Sequence, residues 1–296
     1  MTLRDFGLLS VICLCWGLNL VLTRWVVQDV PPFFYAFMRF GLIALVLTPW
    51  LLPALRQLGT VALVGLCIGA FNFLFLFLAL KLGTASSVAL AGQVGLPFTT
   101  ILSMLFLGER IGWRRGLGMG LAFAGVVIIA FRPDSLGFSA GVILATASAF
   151  IGSVGGVLMK RMEPIPVLTL QAWVAMVSWP VMLVATGASE TGQLAAVGAM
   201  GAPFWWVVAF SVFGVSIFGH GMFYDIVKRY EVTQVAPLTL MTPVWAVVIG
   251  AAVLHEPLTP QLLTGGALAL TGVFMIAVRR NIRLPDAAAI WRRWTA

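Results

Sequence analysis

The sequence predicts an all-α polytopic membrane protein: ten transmembrane helices arranged as two inverted five-helix repeats. Three observations predict it. Hydrophobic residues make up 61% of the 296 residues and charged residues 9%, with a mean hydropathy of +1.04. Soluble domains carry about 25% charged residues, so lipid has to cover this surface. Ten apolar segments approach the roughly 20 helical residues needed to cross a bilayer core about 30 Å thick. Finally, the second half repeats the first. An offset of 147 places Lys81 on Lys228, Glu109 on Glu256, Gly118 on Gly265 and Gly125 on Gly272 without a gap. Upstream the register is about 135, with Gly17 on Gly152 and Pro31 on Pro166.

Charges, prolines and turn residues delimit the segments in order. Span 1 (6–27) lies between Asp5 and Asp29, and span 2 (33–52) between Pro32 and Pro53. Span 3 (60–80) stops at Lys81, and span 4 (85–107) stops at Gly108 and Glu109. Span 5 (114–131) is glycine-rich and ends before Arg132 and Pro133; span 6 (137–158) ends before Lys160 and Arg161. Span 7 (166–187) starts at Pro166, and span 8 (203–226) runs from Pro203 to Lys228 and Arg229. Span 9 (232–254) stops at His255 and Glu256, and span 10 (261–279) follows Pro260. A transmembrane β-barrel would need strands of alternating hydrophobicity. Runs such as GAFNFLFLFLAL do not alternate.

Lys and Arg orient the chain, because short cytoplasmic loops carry the excess. With the N-terminus inside, fourteen of the 18 basic residues face the cytoplasm. Arg24, Lys81 and Arg132 face out, and Arg39 lies within a span. Both termini are therefore expected in the cytoplasm. Five spans per half is an odd number, so the second half enters the membrane inverted. The expected units are 1–135, 136–282 and a basic cytoplasmic tail, 283–296, whose Trp291 and Trp294 suit the headgroup level. Inverted repeats supply two exchangeable conformations around a midplane site, the logic of alternating access.

The net charge of +8 is spread over separate loops, which argues against nucleic-acid binding. Cys13, Cys15 and Cys67 all lie in spans and lack the companions of a metal site. No phosphate-binding glycine loop is present, so neither an intrinsic ATPase nor a cofactor is expected. Span 1 lacks a clear cleavage site and is expected to be retained. The expected partners are a small-molecule substrate and the lipid bilayer, with the chain a monomer or weak homodimer.

CWGLN (15–19), PPFFYAFMRF (31–40), GQVGLPFTTILSMLFLGER (92–110) and VAPLTLMTPVWAVVIGAAVLHEPLT (235–259) resemble the EamA family of the drug/metabolite transporter superfamily. The resemblance covers about residues 5–280 and is greatest to the YddG-type amino-acid exporters. It implies ten helices, both termini inside and export of small polar or amphipathic metabolites. The related small multidrug antiporters carry a binding glutamate in span 1; here no carboxylate stands between Asp5 and Asp29. Proton-coupled drug antiport is therefore the rival reading, beside a nucleotide-sugar carrier.

Polar groups inside spans are the first candidates for a site, because each costs free energy unless it is paired. Span 1 offers Trp16, Asn19 and Thr23, the last two on one face. Span 3 carries Asn72, and span 4 carries Gln93 shortly before Pro97. Span 9 has Thr239 and Thr242 between Pro237 and Pro243. Pro97, Pro237 and Pro243 mark bends at corresponding places in the two repeats, a pointer to a transport site or to simple packing kinks. Span 8 holds His220 and Tyr224 one turn apart; His220 would touch substrate, carry a proton or serve packing. Arg39 is read first as structural, snorkelling or pairing with Asp29, with attraction of a substrate carboxylate as the alternative. Glu109 and Glu256 are read as local caps. The glycines of spans 5 and 10 suit close helix packing or a dimer face. The expected cavity lies between spans 1, 3, 4, 6, 8 and 9, with Trp16, Phe73, Phe77, Met241 and Trp245 as its apolar lining. A membrane enzyme or receptor is the reading of another class; no convergent nucleophile and base support an enzyme.

Overall fold

The computed structural model describes residues 1–51, 57–108, 111–132, 137–230 and 232–278. Among the described residues, eight helices are long and apolar enough to cross a membrane, and two shorter apolar helices complete the ten. Span 1 is Leu3–Asp29, span 3 Leu58–Leu82, span 4 Ala85–Leu107, span 5 Trp113–Ala130 and span 6 Ala140–Met159. Span 7 is Val167–Ser189, span 8 Ala202–Arg229 and span 10 Pro260–Ala277. The short ones are span 2, Pro32–Val46, and span 9, Leu238–Val253. Span 2 stops early because Pro49 has no N–H to continue the helical hydrogen-bond ladder; a 3-10 turn, Thr48–Leu51, follows it. Two small elements have no counterpart in the sequence pattern. One is a helix, Gln193–Met200, in the long loop after span 7. The other is a two-residue antiparallel pairing of Phe131–Arg132 with Gly137–Phe138. The boundary at 135/136, the Glu109–Arg110 turn and the tail with Trp291 and Trp294 lie outside the described residues.

The inversion is visible in how spans 5 and 10 meet. A methyl group on Gly118 would sit 2.7 Å from the Gly272 carbonyl oxygen, and one on Gly265 would sit 2.7 Å from that of Gly125. The sequence rises along span 5 as it falls along span 10, so these equivalent helices are antiparallel. Exchanging the halves converts the first approach into the second, because Gly118 corresponds to Gly265 and Gly125 to Gly272. The two-fold axis therefore lies across the helices, as inverted repeats require. The glycines serve this pairing, since only small residues let two backbones approach so closely in lipid. Spans 2 and 7 likewise pack on each other, and the packing of span 1 on span 9 matches that of span 6 on span 4.

Equivalent spans also share irregular backbone. Span 3 contains a π segment, Leu66–Phe71, and span 8 a longer one, Phe210–Gly219. Spans 4 and 9 each contain a 3-10 turn, Gly92–Val94 and Leu238–Leu240, just before Pro97 and Pro243. Each proline lacks the donor its helix would use, which loosens the turn behind it.

The alternating spans define two ends of the bundle. At the end bearing the N-terminus, Arg229 Nη1 meets Asp5 at 2.9 Å and Tyr230 donates to Asp5 at 2.6 Å. At the opposite end, Glu190 accepts the Phe33 and Phe34 N–H groups at 2.8 and 2.9 Å, capping span 2. Glu256 accepts the Ala85 and Ser86 N–H groups at 2.6 and 3.0 Å, and the Ser86 hydroxyl at 2.5 Å. It thereby caps span 4, whose N-terminal dipole favours a carboxylate. Both glutamates belong to the second half and both capped helices to the first, so this end is tied shut across the repeat boundary.

Candidate functional site

A cavity of about 480 Å³ lies between the halves, within the usual range for small-molecule sites. The first half contributes Arg39, Phe40 and Ile43 of span 2 and Ile68 and Phe73 of span 3. The second half contributes Gln171 and Val174 of span 7 and Ser216, His220, Phe223 and Tyr224 of span 8. Met162, Glu163 and Pro164, in the loop after span 6, line its mouth at the N-terminal end of the bundle. The walls are thus spans 2, 3, 7 and 8 with the end of span 6; among the described residues, none of spans 1, 4 and 9 lines it. Spans 2 and 7 enter the lining through Arg39 and Gln171; Gln171 was not singled out from the sequence, although an amide within an apolar span is the same signal that marked Asn72 and Gln93.

The π segment of span 8 positions the polar face. Its wider turn lets His220 Nδ1 donate to the Val215 carbonyl at 2.9 Å, and the Ser216 hydroxyl to the Ser211 carbonyl at 3.0 Å. Both bonds reach five residues back. The Trp16 ring packs on His220 and Phe223, with centroids 5.3 and 5.2 Å apart. Lys228 sits over the Tyr224 ring at 4.6 Å.

Arg39 departs from the expected snorkelling or pairing with Asp29. It is 3% exposed and neither snorkels nor reaches Asp29. Its Nη2 donates to the Ser216 oxygen at 3.4 Å, while Nε and Nη1 have no partner. Phe73 lies 4.8 Å and Phe77 5.9 Å from its guanidinium carbon. Cation–π contact contributes about 2 kcal/mol when desolvated. Burying an ion costs several kcal/mol, so the rings do not compensate it. The one available signal was the hydrophobic run PPFFYAFMRF, in which no second charge could neutralise Arg39.

The other sequence candidates lie outside the cavity lining. Asn19 and Thr23 belong to a buried chain: Thr23 to Tyr35 at 3.4 Å, Tyr35 to Ser211 at 2.7 Å, and Ser211 to Asn19 Oδ1 at 2.5 Å. Ser211 spends its proton on Asn19, so Tyr35 is the donor to Ser211. Asn72 holds spans 3 and 6 together: its side chain donates to the Ser148 carbonyl at 2.8 Å, and its backbone carbonyl accepts from the Ser148 hydroxyl at 2.9 Å. Gln93 donates to Ala89 in its own helix, and Thr239 to Ala236. Thr242 packs beside Cys13. Pro97 and Pro243 are buried within spans 4 and 9, and Pro237 precedes the 3-10 turn of span 9. Met241 accepts a weak bond from Ser10, and Trp245 packs against Gly17. Among the described residues no group of His, Cys, Asp and Glu suits a metal ion.

Two inverted five-span halves around a cavity of metabolite size define a polytopic membrane carrier. The EamA-like transporter family model matches the chain twice, at residues 6–131 and 139–278, so the chain belongs to that family. It is a transporter rather than an enzyme. It is 29% identical to the "Probable amino-acid metabolite efflux pump" of Salmonella typhimurium over 96% of this chain and 99% of the relative. It is 28% identical to the protein of the same name from Escherichia coli, over 93% and 95%. It is 27% identical to the "Probable terminal-alkyne amino-acid exporter" of Streptantibioticus cattleyicolor, over 71% and 69%. A crystal structure at 22% identity shares the fold over the full length of both chains, with a TM-score of 0.63.

Proposed function

We propose that this protein exports amino acids, including aromatic and other apolar ones, and related small metabolites across a bacterial inner membrane. Export proceeds by alternating access, as facilitated diffusion down the substrate's own gradient. The two halves, 1–135 and 136–282, exchange shapes around the cavity, and both termini face the cytoplasm. The observation that carries the reading is the cavity's position. It lies between the halves, is open near Met162–Pro164, and is separated from the Glu190 and Glu256 caps by the Thr23–Tyr35–Ser211–Asn19 chain. The charge bias of the loops makes the open end cytoplasmic, so this is the cargo-loading state of an exporter. His220 and Tyr224 stand on the substrate wall, with Trp16 supporting His220. Asn19 and Thr23 belong to the seal. Pro97, Pro237 and Pro243 give spans 4 and 9 their deformable points.

The test is counterflow. Liposomes holding the purified protein and an excess of unlabelled leucine or phenylalanine should transiently concentrate the same labelled amino acid from outside. Protein-free liposomes should not. Equal uptake in both would refute the reading. Concentration driven only by an imposed proton gradient would favour the proton-coupled efflux carrier.

A further inference from the structure

Among the described residues, the inner part of the cavity holds a cation and no counter-ion. Arg39 has two unpartnered nitrogens, and Gln171 Nε2, lining the same cavity, is unpartnered as well. All three of these buried atoms are donors. Among the described residues the single acid of the lining is Glu163, which is exposed at the mouth. Around the donors stand Phe40, Ile43, Ile68, Phe73 and Phe223, an apolar wall. A guanidinium presents its N–H groups as a rigid fork that matches a carboxylate. Bound there, a carboxylate would satisfy the orphaned nitrogens and neutralise the buried charge at once.

Resting on the transport reading above, we infer that Arg39, supported by Gln171, is the carboxylate anchor of the cavity, and that the preferred cargo is an amphipathic monocarboxylate of net charge −1. This class comprises amino-acid derivatives whose amino group is acylated, oxidised away or absent. A free amino acid also brings a carboxylate, but its ammonium then needs an acceptor. His220 has committed Nδ1–H to Val215 and leaves only Nε2, and the Tyr224 hydroxyl offers a dipole rather than a charge. The zwitterion therefore enters with one charge matched and the other facing a cation. An inside-negative membrane potential also drives a monoanion outward, whereas a zwitterion gains nothing from it.

Four probes sharing one side chain separate the possibilities: leucine, N-acetylleucine, 4-methyl-2-oxopentanoate and leucinamide. Their binding to purified full-length protein is read by thermal stabilisation, and their movement by counterflow in liposomes. The two monoanions should bind about 10-fold more tightly than leucine and leucinamide about 10-fold more weakly, the effect of making or forfeiting one ion pair. Arg39→Gln should weaken both monoanions about 100-fold while leaving leucinamide within about twofold, and Arg39→Lys, which keeps the charge but not the fork, should fall between. Equal binding of leucinamide and N-acetylleucine, no binding of either monoanion, or no effect of Arg39→Gln would overturn the inference. If Arg39→Gln does not fold, the wild-type probe series decides alone. Monoanion binding with no counterflow of any of the four probes would sink the transport reading and leave the anchor standing. Leucine counterflow that N-acetylleucine fails to inhibit would sink the anchor and leave transport standing.

Discussion

Replacing Glu256 by Gln should release one end of the molecule. Glu256 accepts three hydrogen bonds from the first turn of span 4, two from backbone N–H groups and one from Ser86. The residue is 9% exposed. Glutamine keeps one acceptor oxygen and turns an amide N–H₂ toward a backbone donor. At least one charge-assisted bond is lost and a donor is left facing a donor, a cost of about 2–3 kcal/mol. These bonds cross between the halves, so they favour the conformation closed at this end. If they are absent when the end opens, the closed-to-open ratio falls roughly 30- to 150-fold at 1.4 kcal/mol per tenfold. Spin labels on cysteines at Leu82 and Leu258, both exposed at this end, report the distance across it. Cys13, Cys15 and Cys67 are replaced by Ala beforehand. Wild type should give a single short distance, and Glu256→Gln should populate a longer one. An unchanged distribution in well-folded variant protein would refute the latch argument.

The remaining predictions concern scaffold, glue and orientation. Gly118→Val places a side chain against the Gly272 carbonyl and should cost about 3 kcal/mol or more, by forcing spans 5 and 10 apart; a detergent-solubilised sample that keeps its wild-type Tm would contradict this. Asn72→Ala removes a donor to Ser148 and should lower stability by about 1–2 kcal/mol. It should leave substrate affinity within about twofold, since the side chain faces span 6 and not the cavity; a large affinity loss at unchanged Tm would place Asn72 in the site after all. A cysteine at Leu194 should react with an impermeant thiol reagent from outside whole cells and one at Trp113 should not; the reverse pattern would invert the topology.

Much of the fold was legible because lipid simplifies the code. With no water inside the bilayer, helices must satisfy their own backbone, so apolar length and bounding charges mark each span. The 147-residue offset exposed the duplication, and the parity of five made the halves antiparallel. The site was less legible, because polarity in a span does not say which way a side chain faces. Asn72 and Asn19 have the character of substrate ligands, yet each spends its amide on a neighbouring span. Arg39 has the character of a snorkelling residue until its distance from any acid is known. His220 and Tyr224 do face the cavity, yet their placement depends on a π segment that no residue pattern announces; Gly214 and Gly219 are its only trace. Helix Gln193–Met200 escapes notice because eight residues cannot span and leave no periodic signal.

The central claim is that one cavity is exposed in turn to the two sides of the membrane. Val174 lines it, and a cysteine there, in a background lacking the three native cysteines, reports that exposure. Inside-out and right-side-out vesicles are treated separately with an impermeant thiol reagent, with and without leucine and N-acetylleucine. The account predicts modification from either side, faster from the cytoplasmic side in the resting protein, and slowed from both by whichever compound is carried. Modification from one side only, unchanged by gradients of either compound, would contradict it.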